Sequence, residues 1–156
     1  MAAAGKWKMY ESAKLEFANG LIDFDTHAFK INLYLSTSNA DTLAIATVTS
    51  NLTSITNQVA TAFGYTQDTK AVTLTTANAA GTITIDETTN PVFTASGGSI
   101  TARFAVIWDD THATNCPICV CLLDTAPADV TATDGNTFTI TMSASGILTI
   151  SGATSN

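Results

Sequence analysis

Residues 82–85 read Thr-Ile-Thr-Ile, and residues 138–142 read Phe-Thr-Ile-Thr-Met. In both stretches threonine alternates with a large apolar residue, which is the period-two pattern of a strand with one buried face. Residues 29–35, Phe-Lys-Ile-Asn-Leu-Tyr-Leu, alternate in the same way and predict a strand whose odd-numbered side chains point inward. These three stretches indicate β structure.

The same pattern continues along the chain, with turn residues between the apolar runs. Further strands are predicted at 71–76, 81–86, 92–95, 100–108, 117–123, 137–142 and 147–150. About seven or eight strands without crossover helices predict an all-β fold, an antiparallel β-sandwich of jelly-roll-like type. Residues 104–108 and 118–123 are apolar at successive positions, so we expect central strands covered on both faces. Residues 36–62 allow either weak strands or a helical turn.

The N-terminal segment has a different pattern. From Lys6 to Asn19 the apolar residues recur at spacings of mostly three or four, and Asn19-Gly20 is a typical helix stop. We predict a short amphipathic helix over about 6–19. The prediction for the whole chain is one domain, 1–156, with this helical arm at its start.

The composition limits the classes of partner. Threonine fills about one position in five, whereas charged residues make up only 12%, about half the usual share. The formal net charge is −7, so the surface should repel phosphate backbones and no nucleic-acid partner is expected. No apolar run is long enough to span a membrane, and the first residues lack the apolar core of a secretory signal. We expect the protein to stay in the cytoplasm where it is made.

Three cysteines lie together in Asn-Cys-Pro-Ile-Cys-Val-Cys, at Cys116, Cys119 and Cys121. An odd number of cysteines in so short a stretch is not a disulfide framework. A metal site would need a fourth ligand such as His112, whereas Cys119 and Cys121 can instead share one face of a strand as buried apolar residues. Reduced structural thiols are the prediction, with no metal and no cofactor.

No known catalytic motif is present, and the protein is not expected to be an enzyme. The candidate bases, His27 and His112, lie in turn-like segments and are predicted to be exposed turn residues. The adjacent acid pairs 86–87 and 109–110 also fall at predicted turns, where side chains of neighbouring residues point apart. Asp109 and Asp110 with Asp124 would supply oxygen ligands for calcium, but their spacing matches no defined calcium loop.

Two groups of charged or aromatic residues have structural and binding interpretations. Arg103, the sole arginine, lies in a strand predicted to be mostly buried, so we expect a turn aspartate to pair with it. The aromatic residues near the N-terminus pack in a helix-face core or contact a partner. The predicted partner interface consists of Lys6, Trp7, Lys8 and Tyr10.

The chain as a whole resembles a set of small structural proteins encoded by tailed bacteriophages. The resemblance lies in residues 6–40, then Gly-Tyr-Thr-Gln-Asp-Thr-Lys-Ala-Val-Thr-Leu at 64–74, Ile-Thr-Ala-Arg-Phe-Ala-Val-Ile-Trp-Asp-Asp at 100–110, and the closing stretch 136–152. The family pattern has a helix that ends in glycine, an Ile-Asp pair, a Phe-Lys-Val-type strand, a Gly-Tyr turn, a Thr-Ala-Arg strand and a terminal Gly-Ile-Leu strand. Those features correspond here to Gly20, Ile22-Asp23, Phe29-Lys30-Ile31, Gly64-Tyr65, Thr101 to Ala105 and Gly146 to Leu148. The cysteine cluster departs from the pattern.

The resemblance implies a virion structural protein, specifically a capsid cement or decoration protein that binds the outside of a phage head. Its partner would be the major capsid protein of the shell, and its location the capsid surface after synthesis in the host cytoplasm. The resemblance also implies a homo-oligomer, with a trimer as the first expectation. The alternative is a tail or fibre component with a structural or receptor-binding role.

Overall fold

The computed structural model describes residues 5–44, 51–126, 128–143 and 146–151. Every pairing between their strands is antiparallel, and helices are few and short, which confirms the predicted all-β class with a short N-terminal helix. The strands are β1 Lys8–Met9, β2 Phe29–Tyr34, β3 Ala71–Val72, β4 Leu74–Ala79, β5 Thr82–Glu87, β6 Val92–Thr94, β7 Ile100–Ala102, β8 Phe104–Asp109, β9 Cys116–Leu122, β10 Val130–Ala132, β11 Thr137–Thr139 and β12 Leu148–Ser151. The helices are α1 Glu11–Ala18 and α2 Ala40–Leu43, with a 3₁₀ turn at Leu52–Ser54.

The strands are arranged in a sandwich-like fold of several sheets. The largest sheet has the order β1-β9-β8-β2-β3, and a three-stranded sheet has the order β12-β5-β4. The remaining strands of the described residues form two pairs, β10 with β7 and β11 with β6. The jelly-roll-like detail stays a prediction, because these strands group into sheets of five, three, two and two.

The centre of the five-stranded sheet is buried on both faces. All of β8 except Phe104 and all of β9 except Leu122 are buried, as the two-sided apolar pattern predicted. Helix α1 packs against β9, and α2 packs against β8 and β9. The helices therefore supply a cover for these central strands.

The N-terminal segment differs from the prediction of a helix over 6–19. Residues Lys8 and Met9 pair with Val120 and Cys119 as edge strand β1, and the helix begins only at Glu11. The backbone N–H of Tyr10 donates to the Ile118 carbonyl at 2.9 Å. The prediction of helix at 6–10 is wrong, because these residues bond to the free edge of β9 instead of to the next helical turn.

The predicted helix stop is confirmed in detail. Gly20 has a φ of +74°, its N–H donates to the Phe17 carbonyl, and the Leu21 N–H donates to the Glu16 carbonyl. This is the Schellman arrangement, which satisfies the last helical carbonyls and favours glycine at the left-handed position. The motif turns the chain from α1 toward β2.

The predicted strand at 100–108 is two strands that belong to different sheets. β7 pairs with β10, whereas β8 pairs with β2 and β9. Between them, the Arg103 N–H donates to the Tyr34 carbonyl and the Arg103 carbonyl accepts from the Leu123 N–H. Residues 36–62 contain α2 and the 3₁₀ turn; the part of that segment at 45–50 lies outside the described residues.

Candidate functional site

A groove runs beside the N-terminal strand. It encloses about 720 Å³ and lies between residues 5–7 on one side and residues 140, 141, 143 and 146–149 on the other, with Cys121 also in its lining. The Gly5 N–H donates to the Leu122 carbonyl at 2.7 Å, so the chain just before β1 is also bonded to β9. The groove wall is thus fixed by backbone hydrogen bonds.

The structure divides the four predicted interface residues into two groups. Lys6 is exposed and Trp7 is half-buried, and both line the groove. Lys8 is exposed but forms an ion pair with Asp41. Tyr10 is fully buried, and its hydroxyl donates to the Ala40 carbonyl at 2.9 Å. Tyr10 is therefore a core residue that joins the start of α1 to α2, and the surface open to a partner is formed by Lys6 and Trp7.

The three cysteines are buried free thiols on β9. Burial raises the pKa of Cys116 to about 12, with Glu16 and Asp109 as smaller causes, and raises the pKa of Cys121 to about 11. The pKa of Cys119 is raised well above its ordinary value, also by burial. The prediction of reduced structural thiols agrees with these surroundings, which disfavour the thiolate needed for nucleophilic or metal chemistry.

The prediction of exposed turn residues is wrong for both histidines. His27 Nδ1 lies 2.6 Å from Oδ2 of Asp109, whose side chain is fully buried. Oδ1 of Asp109 accepts the backbone N–H groups of Thr111 and His112 at 2.9 and 3.0 Å. A buried carboxylate needs such donors, so Asp109 organises the loop after β8 and holds His27 against it.

His112 lies across a cavity of about 420 Å³ from this pair. The cavity is lined by Glu16, Leu21, His27, Thr111, His112, Ala113 and Thr114. His112 Nε2 is 3.8 Å from Glu16 Oε2, and both side chains are mostly buried. Within the described residues, however, no group of three or more histidine, cysteine or acidic side chains is placed to hold a metal ion. The cluster joins α1, the turn before β2 and the loop after β8.

The acidic residues considered for calcium are engaged with different partners. Asp109 contacts His27, whereas Asp110 forms an ion pair with Lys30 at 2.8 Å. Asp124 Oδ1 accepts the N–H of Ala126. These contacts do not bring the three carboxylates together around one ion.

The predicted ion pair of Arg103 is present. Its Nε donates to Asp129 Oδ1 at 2.7 Å, and the Arg103 side chain is only 18% exposed. Arg103 directly follows β7 and Asp129 directly precedes β10, so the ion pair joins the end of β7 to the start of β10. Arg103 has a structural role here.

One surface residue was missed by the sequence analysis. Phe63 is 50% exposed and has a φ of +53°, followed by Gly64 at +86°. Ala62 and Tyr65 exchange both backbone hydrogen bonds around them, which defines a two-residue turn of type I′. A bulky residue with positive φ is an outlier. The Gly-Tyr pair marked the turn, but nothing in the sequence marked Phe63 as its exposed tip.

These features define an all-β protein with a groove beside its N-terminal strand and an internal histidine–carboxylate cluster. No helix among the described residues is long and apolar enough to cross a membrane. Comparison with protein-family models, with curated proteins and with solved structures finds no match to this chain.

Proposed function

We propose that this chain is a structural protein of a tailed-bacteriophage virion, a capsid cement or decoration protein that binds the outer surface of the head. The proposal depends on the order of the family-like motifs along the chain. Its support from the structure is that these motifs fall on positions with strict geometric requirements. Gly20 closes the Schellman motif, and Gly64 and Gly146 have positive φ values with close neighbours.

The Gly64 and Gly146 contacts show how strict these requirements are. A Cβ atom on Gly64 would lie 2.0 Å from the Thr94 carbonyl oxygen. A Cβ atom on Gly146 would lie 2.3 Å from a methyl carbon of Thr84. The Gly64 neighbour is backbone, whereas Gly146 meets the Thr84 side chain and the Ile85 carbonyl oxygen at 3.1 Å. Together with their positive φ values, these contacts favour glycine at both positions. A chain that resembles the family at fold-determining positions is a reasonable candidate for the family's fold and task.

The groove supplies a surface for attachment to the shell. Lys6 is an exposed cation at its wall and has no ion-pair partner within the described residues. Trp7 adds a half-buried aromatic surface, which suits an interface. We infer that an acidic, extended segment of the major capsid protein docks here, and that many weak contacts of this kind on one shell act together.

A tail or fibre component is the second candidate, because Phe63 is an exposed aromatic side chain at a rigid turn. Val92, 38% exposed, is another of the exposed apolar side chains. Receptor-binding surfaces use such aromatic residues. This candidate predicts few copies per virion, whereas a cement protein is needed in hundreds of copies.

Copy number in purified virions separates the two candidates. Quantitative mass spectrometry should give a ratio to the major shell protein of about one half to one for a cement protein. A ratio below about one twentieth would overturn the cement proposal and favour a tail component.

Rebinding to heads stripped of this protein tests the groove. Lys6→Glu should weaken rebinding, whereas Lys14→Glu, a charge reversal at an exposed lysine on α1 outside the groove, should not. Equal rebinding of both variants with the wild-type protein would contradict the placement of the interface at the groove.

A further inference from the structure

The hairpin formed by β4 and β5 has a defined hydrogen-bond direction. Its two-residue turn, Ala80-Gly81, has φ values of +50° and +81°, which is the type I′ geometry of a tight hairpin. The register pairs Ala79 with Thr82 and Ala77 with Thr84. The Thr88 N–H donates to the Thr73 carbonyl, so the same alternation of hydrogen-bonded pairs continues to the residues next to both strands.

This alternation determines which backbone groups point outward. In an antiparallel pair, every second residue exchanges hydrogen bonds with its partner strand, and the residues between direct their N–H and C=O groups to the other side. In β4 the residues that bond to β5 are Thr75, Ala77 and Ala79. The N–H and C=O groups of Thr76 and Asn78 therefore point away from β5.

The outer side of β4 is an open sheet edge. β4 is the last strand of its sheet, and residues 75–79 are all exposed. Within the described residues, the backbone groups of Thr76 and Asn78 have no partner. Their sequence, Thr-Thr-Ala-Asn-Ala, has no proline, lysine or other charge, and the pairing with β5 has no bulge. Natural proteins normally protect an edge by one of these devices.

We propose that this edge binds the same edge of a second copy of the chain. A two-fold axis through Ala77 would place Thr76 opposite Asn78 of the second copy, and Asn78 opposite Thr76 of the second copy. The outward N–H and C=O groups of these residues would then form four hydrogen bonds. The two three-stranded sheets would join into one continuous six-stranded sheet, which is an isologous contact.

The side chains favour a second copy over other occupants. Residues 75–79 carry no charge, so no like-charged side chains of β4 would oppose one another across the axis. The Thr76 hydroxyl donates to the Asp25 carboxylate at 2.8 Å. Side chains of directly opposed residues lie on the same face, so the Asn78 amide of the second copy would face Asp25 as a further donor. An amide donor and a carboxylate acceptor are complementary across the axis.

The contact is small, so we expect association that is weak in free solution and effective where copies are held close together, as on a virion surface. Sedimentation velocity across a range from micromolar to about millimolar protein should show a shift from the 16.2 kDa monomer toward a dimer. Hydrogen exchange at the Thr76 and Asn78 amides should slow as the dimer forms.

Two variants test the edge. Asn78→Asp keeps the side-chain shape but places a carboxylate opposite Asp25, and should weaken dimerisation about tenfold or more. Ser99→Asp adds the same charge at an exposed residue outside the three-stranded sheet and should leave dimerisation unchanged. A wild-type protein that stays monomeric would overturn the proposal, as would an oligomer that Asn78→Asp does not weaken. Protection of the two amides only after addition of shell protein would also overturn it and assign the edge to that partner. None of these outcomes changes the copy-number test of the proposed function.

Discussion

Gly64 combines a left-handed backbone with a very close neighbour, and replacing it with alanine should destabilise the protein strongly. Its φ is +86°, and the added Cβ atom would lie 2.0 Å from the Thr94 carbonyl oxygen and 3.2 Å from the carbonyl carbon. Neither neighbour is the end of a flexible side chain. Strand β6 would have to move away from the turn, against the hydrogen bond from the Ser96 N–H to the Phe63 carbonyl.

The expected cost has two parts. A non-glycine residue in the left-handed region costs about 1–2 kcal/mol. Forcing the backbone of β6 aside adds about 1–3 kcal/mol, the usual range for overpacking. Gly81→Ala is the matched control, because Gly81 has a φ of +81° but no atom within 4 Å of the added Cβ. It should show only the first part.

Urea denaturation followed by circular dichroism measures both variants. We expect Gly64→Ala to lower the free energy of unfolding by about 4 kcal/mol and Gly81→Ala by about 1 kcal/mol, with similar m values. If Gly64→Ala fails to fold, the melting of Gly81→Ala still tests the backbone part. Equal losses for the two variants would refute the assignment of Gly64 to the close contact with Thr94.

Three further predictions concern the cluster at Asp109 and the thiols. Asp109→Ala leaves His27 and two backbone N–H groups without their buried acceptor, so it should lower the free energy of unfolding by about 3 kcal/mol. Asp110→Ala removes only a partly exposed ion pair and should lower it by less than about 1 kcal/mol. Equal shifts in the melting temperatures of the two variants would contradict this difference. At pH 8 a thiol reagent should react slowly with the native protein and quickly after unfolding, because burial raises the pKa of Cys116 to about 12 and of Cys121 to about 11. Thiols of the unfolded chain lose protons near their ordinary pKa of 9.0, whereas the native thiols keep them. The free energy of unfolding should therefore fall as the pH rises above 9. Fast labelling of the native protein, or stability that rises in this pH range, would contradict the assigned burial.

Most of the β structure could be predicted because its signal is local. The alternation at residues 29–35 and 138–142 marked strands, since β2 spans Phe29–Tyr34 and β11 spans Thr137–Thr139. The expectation that only the odd-numbered side chains of β2 point inward is wrong, because Asn32 and Tyr34 on its other face are also buried. Phe138 and Ile140 are buried as expected, whereas Leu35 at the end of its stretch is 38% exposed. Periodicity identifies a strand more reliably than it identifies where the strand ends.

The N-terminal error has a clear physical origin. Trp7, Tyr10 and Ala13 have helical spacing, but the first four residues of the same segment, Lys6 to Met9, also alternate charged and apolar residues with period two. Which pattern prevails depends on the free edge of β9, which is more than a hundred residues away in sequence. A pairing of this kind is a tertiary effect, and local propensity carries no information about it.

The histidine–carboxylate cluster could not be predicted for a related reason. Nothing in Asp25-Thr26-His27 signals that its imidazole lies against Asp109, 82 positions along the chain. Charged residues are usually exposed, and it is the pairing of β2 with β8 that brings these two turns together. The kind of partner that Arg103 has was easier to anticipate, because a buried guanidinium requires a carboxylate.

The motifs that carry the family resemblance and the residues proposed to bind partners are different sets. Gly20, Gly64 and Gly146 are explained by backbone conformation and close packing, so they specify the fold and leave the partner open. The proposed contacts lie where packing makes no demand, at Lys6 on the groove wall and at Asn78 on the β4 edge. A change at a glycine of the first set should therefore affect stability before binding, whereas Lys6→Glu and Asn78→Asp should affect binding without a change in stability.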